Sequence, residues 1–252
     1  MWDRAILAGA LLALWEVGSL WAGPEFVSSP WLVLQQLGVW ISNGVLISNI
    51  GYTILEASLG FVIGAVPGLL LPLLLRKRPF LAAVLDPFIV IGYGLPKVAL
   101  IPLFIVWFGI GIWSKVALVA SVSFFLVLFS TAEGVRAVEP RLIRTARVVG
   151  ASEYQILRTI VMPSAIPFIM QAVQIALPLS IGGAAIAELV SSNRGLGFLI
   201  QFSAGNFEIT GALAAVVALT AIVVATNLLV SAVERRLLSH RPQNNAHAMG
   251  AH

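Results

Sequence analysis

GVRAVEPRLIRTARVVGASEYQILRTIVMPSA, residues Gly134–Ala165, is a basic stretch enclosed by two apolar ones, Lys115–Ala132 before it and Ile166–Val190 after it. Each flank has the length and apolarity of a helix that crosses a bilayer, which needs ~20 residues. The enclosed stretch holds Arg136, Arg141, Arg144, Arg147 and Arg158. It therefore reads as a loop on the side of the membrane that collects positive charge. Its residues predict helix–turn–helix. Pro140 suits a first helical position, with Glu139 beside the positive helix end. Leu142, Ala146 and Val149 form one stripe, and Arg141, Arg144 and Arg147 another. Gly150 is placed to end that helix in a left-handed conformation. Ser152 with Gln155 three residues on is a capping box. The second helix carries Tyr154, Ile156, Leu157, Ile160 and Val161 and is expected to end before Pro163. Two short, sharply turned helices make a rigid knob. Such a knob either transmits a push from a partner or packs beneath its own bundle.

Working outward, the whole chain has the same character. Of 252 residues, 59% are hydrophobic and 10% charged, against about 25% charged in a soluble domain. The mean hydropathy is +0.98. A soluble fold cannot cover that much apolar surface. A soluble enzyme, a disordered chain and a nucleic-acid-binding domain are excluded, and lipid is the solvent. Six spans are expected: Ala5–Gly23, Gly51–Leu75, Leu85–Phe108 (interrupted by Pro96, Lys97 and Pro102), Lys115–Ala132, Ile166–Val190 and Ile209–Val233. Continuous apolarity at these lengths argues for helices, since barrel strands alternate over ~10 residues. The first segment reads as a span, not a cleaved signal: only Arg4 charges its start, and Leu20-Trp-Ala-Gly23 is a poor cleavage site.

Twelve of the fifteen basic residues fall on the side shared by the N-terminus, the Arg76–Pro79 loop, the Gly134–Ala165 loop and the C-terminal tail. That predicts both termini inside. The net charge of +4 is thus a topology signal, and no nucleic-acid partner is expected. Cysteine is absent, so no disulfide or thiolate chemistry is available. Outside, Ser29-Pro30 starts a helix with Trp31, Leu34, Leu37, Gly38 and Ile41 at helical spacing, lying in the interface or packed over the bundle. Residues 239–252 are expected to be a disordered cytoplasmic tail, leaving 1–238 as one transmembrane domain. His247 and His252 lie in that tail without ligand spacing, so no metal site is expected. No internal repeat is evident.

Charges inside spans are costly and therefore functional candidates. Glu188 and Glu56 lie near the outer ends of their spans, where each faces a pathway or snorkels. Asp86, near Arg76–Arg78, suggests a structural ion pair. Lys97 beside Pro96 meets an anionic substrate or pairs with an internal carboxylate. Gln171 and Gln174, one helical turn apart, line a pathway or bond between helices. Gly182 and Gly183 suggest close helix packing. There is no Gly-x-x-x-x-Gly-Lys-Ser/Thr phosphate loop and no His-Glu-x-x-His set, so no catalytic residue is expected.

Arg144-Thr-Ala146-Arg-Val-Val-Gly150, followed by Ile160-Val-Met-Pro163, resembles the EAA loop of ABC importer permeases. That pattern is Glu-Ala-Ala, three residues, Gly, nine residues, then Ile-x-Leu-Pro. Ala146, Gly150, Ile160 and Pro163 match. Thr145 and Met162 depart mildly, and Arg144 reverses the charge of the usual Glu. Phe26-Val-Ser-Ser-Pro30, Ser58-Leu-Gly-Phe61, Leu85-Asp-Pro87, Pro96-Lys-Val-Ala-Leu-Ile-Pro-Leu103, Trp107-Phe-Gly-Ile-Gly111, Gly134-Val-Arg136 and Arg194-Gly-Leu-Gly197 are similar to the nitrate, sulfonate and taurine subfamily. The resemblance spans about Ser28 to Leu237. It implies an all-α, type I ABC importer permease (MetI-like) fold in the bacterial inner membrane, without enzymatic activity of its own. It further implies a homodimer, a cytoplasmic ABC ATPase dimer that uses ATP and Mg, and a periplasmic binding protein delivering a small anionic solute. This chain itself would bind no cofactor. Ala146, Gly150, Ala151, Ser152, Ile160 and Pro163 would couple to the ATPase, and Gln171, Gln174, Glu188 and Lys97 are pathway candidates. A stand-alone channel or small secondary carrier is the competing reading.

Overall fold

The computed structural model describes residues 2–23 and 26–238, so the tail at 239–252 lies outside the described residues. These residues are helical, and no strand occurs among them. In chain order the helices are α1 (Trp2–Ala22), α2 (Pro30–Ser42), α3 (Val45–Leu75), α4 (Pro79–Gly94), α5 (Ile101–Phe108), α6 (Ile112–Arg136), α7 (Pro140–Val148), α8 (Glu153–Ile156), α9 (Met162–Val190), α10 (Leu196–Gly205) and α11 (Ile209–Leu238).

Among the described residues, four helical stretches are long and apolar enough to cross a membrane: Val45–Leu75, Ile112–Arg136, Glu153–Val190 and Ile209–Arg236. These are the expected second, fourth, fifth and sixth spans, each longer than its apolar run. The expected third span is broken: α4 and Lys97–Phe108 meet at 85°. Pro96 explains the position of the break. Its ring disfavours a helical conformation at the preceding residue, and Leu95 is extended, with ψ 133°. Helix α1, Trp2–Ala22, overlaps the expected first span, and Gly9–Trp21 is its described apolar part.

The body is built on α3, α6 and α9. Three glycines at four-residue spacing, Gly60, Gly64 and Gly68, face α6 on one side of α3. A Cβ at Gly64 would lie 2.2 Å from the Ala120 carbonyl oxygen, and one at Gly68 2.6 Å from that of Phe124. Without side chains the two backbones come into direct contact, the arrangement by which helices associate in lipid. Gly182 and Gly183 do not serve this purpose. Nothing lies within 4 Å of a Cβ at Gly182, and only a Val119 methyl at 3.8 Å approaches Gly183.

Ser29 caps α2, its hydroxyl accepting from the Leu32 N–H at 3.3 Å. The helix packs over the bundle: Val33 and Trp40 are buried with Leu196, Leu199, Ala214 and Ala215, while Trp31 and Leu34 remain exposed.

Candidate coupling knob and transport pathway

The loop between α6 and α9 folds as a knob because its stop and start signals are satisfied locally. Gly150 has φ +88°. Its N–H bonds to the Arg147 carbonyl at 3.0 Å, and the Ala151 N–H reaches back to Ala146 at 2.9 Å. These two bonds form a complete Schellman ending for α7. Two residues on, the Gln155 N–H donates to Ser152 Oγ at 3.3 Å, and Gln155 Oε1 accepts from the Ser152 N–H at 2.7 Å. The capping box is therefore present as predicted.

The second helix does not end before Pro163. It continues into α9 through a π turn at Leu157–Val161, where the Met162 N–H bonds to Leu157. A proline lacks the N–H that an α-helix uses and crowds the turn behind it. Widening that turn by one residue lets the helix pass the proline, so the knob is one rigid piece with the fifth span.

A single carboxylate fastens the knob to the body. Glu153 meets Arg76 at the end of α3 at 2.8 Å, Arg147 of α7 at 2.8 Å and Lys77 at 3.5 Å. Beneath it Val138, Ile156 and Val161 are buried against Leu73, Ile143, Ala146, Ala151 and Ile160. The motif residues thus divide. Ala146, Ala151 and Ile160 build the base, and Pro163 is half-buried in the emerging helix. Gly150 and Ser152 lie exposed at the tip. Beside them stand Val148 and Val149, 88% and 81% exposed, and Tyr154.

At the opposite end of the bundle Glu188 neither lines an open surface nor snorkels. It is 0% exposed. Its Oε1 accepts from Thr53 Oγ1 at 2.8 Å and its Oε2 from the Gly197 N–H at 2.7 Å. The Leu196 N–H donates to Thr53 Oγ1 at 2.9 Å, and the Gly195 N–H to Asn49 Oδ1 at 2.7 Å. Three consecutive amides at the start of α10 are therefore clamped by side chains of α3 and α9. A carboxylate is well suited to that positive helix end. Gly195 adopts φ +101° and ψ 168°, a region essentially restricted to glycine. A Cβ there would sit 2.2 Å from Glu188 Cδ. Glu56 and Lys115 are buried too, at 4% and 3% exposure. Lys115 Nζ donates to the carbonyls of Ile110 and Gly111.

Lys97 forms no ion pair with a carboxylate among the described residues. Its ammonium donates to the carbonyls of Gly92 and Tyr93 and lies over the rings of Tyr93 and Phe125 at 5.2 and 4.6 Å. Those carbonyls belong to the last turn of α4 and have lost their helical partners at the break. Lys97 is the cap that replaces them, which in lipid no water supplies. Asp86 is exposed and has no ion pair within 4.0 Å among the described residues, because Arg76 is turned toward Glu153. Gln174 bonds across to Glu234 of α11, and Gln171 is exposed.

Residues 59–239 match the family described as the binding-protein-dependent transport system inner membrane component. The chain belongs to that family. It is 32% identical to the taurine transport system permease protein TauC of Escherichia coli (strain K12), over 92% of this chain and 86% of that protein. It is also 32% identical to the riboflavin transport system permease protein RibX of Chloroflexus aurantiacus, over 90% and 86% respectively. Among solved structures, an inward-facing MetNI methionine ABC transporter superposes with a TM-score of 0.62 at 22% identity, covering 79% of this chain and 96% of that one. That likeness supports the fold.

This ABC importer permease is a multi-pass inner-membrane protein. The family match contains the whole knob, Glu188 and Gly195–Gly197, and it begins after Asn49, Thr53 and Glu56. The permease therefore closes its clamp with α3 residues that precede the matched region. Sequence reasoning missed Asn49, Thr53, Val148 and the role of Gly195. Asn49 and Thr53 carried no signal, being ordinary polar residues in an apolar helix. Gly60-x-x-x-Gly64-x-x-x-Gly68 was a readable signal for close packing.

Proposed function

We propose that two copies of the permease form the translocation pathway of an ATP-driven importer, with both termini and the knob in the cytoplasm. The knob seats in a groove of a cytoplasmic ATPase subunit, which binds ATP and Mg. A periplasmic binding protein delivers a small anionic solute at the clamp end. The observation that carries this reading is a rigid knob with an apolar tip: Val148, Val149 and Tyr154 are exposed, while Glu153 ties the base to α3 and the π turn joins it to α9. Closure of the ATPase dimer then moves α9 and the end of α3 together. Helix α4 buries none of its residues, which supports a second copy covering it. Gln171 on the exposed face of α9, Gln174 one turn on, and Lys97 at the broken span are the pathway candidates that remain accessible or half-accessible.

Reconstitution with the cognate ATPase and binding protein tests this function. ATP hydrolysis should rise when the loaded binding protein is added, and it should rise for one class of solute in a panel of sulfonates, nitrate, taurine and vitamin precursors. Uptake by the permease alone, driven by an ion gradient and indifferent to ATP, would establish a secondary carrier instead.

A further inference from the structure

At the knob end, α3, α4 and α6 diverge around a cavity of about 390 Å³, within the roughly 300–1,000 Å³ range of ligand sites. It is open because the facing residues Ala82 and Ala132 are small and Pro79 turns the chain into α4. All three helices contribute apolar wall, Leu71, Ile89, Leu128 and Phe129, and all three contribute charge, two cations and two anions: Arg76 and Arg136, Asp86 and Glu133. Arg136, Asp86 and Glu133 form no ion pair within 4.0 Å among the described residues. Arg76 gives one amino group to Glu153 at 2.8 Å, and its Nε is buried without a hydrogen-bond partner.

From these features we propose that the cavity binds the headgroup of a zwitterionic aminophospholipid. A phosphate accepts from the guanidinium groups of Arg76 and Arg136, whose planar forks suit phosphate oxygens. The ammonium sits against Asp86 and Glu133. The acyl chains lie along the apolar wall, which a small polar solute would leave unfilled. A purely anionic lipid satisfies the arginines but meets two uncompensated carboxylates, so the balance of charge selects the zwitterion. Because Arg76 also anchors Glu153, the lipid headgroup and the knob share one residue. None of its lining residues is a pathway candidate or a residue of the knob tip.

Native mass spectrometry of the full-length permease tests this, after detergent delipidation and add-back of phosphatidylethanolamine or phosphatidylglycerol. Phosphatidylethanolamine should be retained at one copy per chain and bind about tenfold more tightly than phosphatidylglycerol. Ala132→Phe, which fills the cavity, should abolish that retention. Asp86→Asn with Glu133→Gln, both at exposed positions, should erase the preference between the two lipids, and this pair keeps the test informative if Ala132→Phe does not fold. Equal retention of both lipids by the unaltered permease would overturn the proposal, as would full retention in Ala132→Phe. Displacement by free phosphoethanolamine would assign the cavity to a soluble zwitterion and overturn the lipid. A disulfide between two copies carrying Ala82→Cys, formed with lipid still bound, would place the lipid elsewhere and also overturn it.

Discussion

Gly195→Ala should be among the most damaging single-methyl changes in the permease. The backbone at φ +101°, ψ 168° is one that only glycine adopts readily, and holding another residue there costs about 1–3 kcal/mol. The added carbon would also stand 2.2 Å from Glu188 Cδ and 2.3 Å from both carboxylate oxygens. Relief requires Glu188 to leave its place. That strands the buried Gly197 amide, at a cost of about 1–3 kcal/mol, and leaves the Thr53 hydroxyl only its longer bond to the Asn49 carbonyl at 3.3 Å. Glu188→Ala removes the same two bonds without the strain, so its loss should be smaller. Glu188→Gln keeps one oxygen acceptor but presents an amide to the other partner, and should fall between the parent and Glu188→Ala. Gly205→Ala, with nothing within 4 Å, is the control for a tolerated methyl. Thermal unfolding in detergent, with abundance in the membrane, measures the series. Gly195→Ala unfolding with the parent would remove the clamp from the account.

Gly150→Glu should have the opposite signature: a permease that folds and does not transport. No atom lies within 4 Å of a Cβ at this position, so the cost to folding is the left-handed backbone alone, about 1 kcal/mol. The side chain, however, projects from the exposed tip beside Val148 and Val149, where a carboxylate would enter the proposed groove. Membrane abundance should be near the parent's. Uptake should fall by about tenfold or more, as for a charge forced into a close interface. Gly150→Asn separates the two effects, because asparagine tolerates the left-handed region and adds no charge. It should retain most uptake. Uptake and ATP hydrolysis measured on the same proteoliposomes read the outcome, and normal uptake by Gly150→Glu would remove the tip from the coupling contact.

The contrast between knob and clamp shows what was legible in the sequence. Every device that ends α7 and starts α8 acts within five residues, so Gly150, Ser152 and Gln155 could be read in order. Pro163 was read as a stop, since the π turn that absorbs it depends on the helix being held on both sides. The clamp joins Asn49 and Thr53 to residues more than 130 positions away, and nothing local in α3 announces them. Glu188 was noticed because a charge in a span is conspicuous. Its partners, one of them the Gly197 backbone amide, were not visible as residue types. Lys97 was expected to meet an anionic substrate or to pair with an internal carboxylate; within the chain its ammonium finds carbonyls, because the proline beside it breaks the helix that would satisfy them. Arg76, read with Asp86, turned toward Glu153, whose role depends on how the knob folds back.

The chain contains no cysteine, so a single engineered thiol reports one position without background. The central claim is that the knob tip is the contact with the ATPase. Val149→Cys, cross-linked in membranes that contain the whole transporter, tests it most directly. The account predicts an adduct between Val149→Cys and the ATPase subunit whose yield changes with ATP, and none from Phe207→Cys, which is equally exposed at the other end of the bundle. An adduct from Phe207→Cys, or none from Val149→Cys while the complex remains assembled, would contradict it.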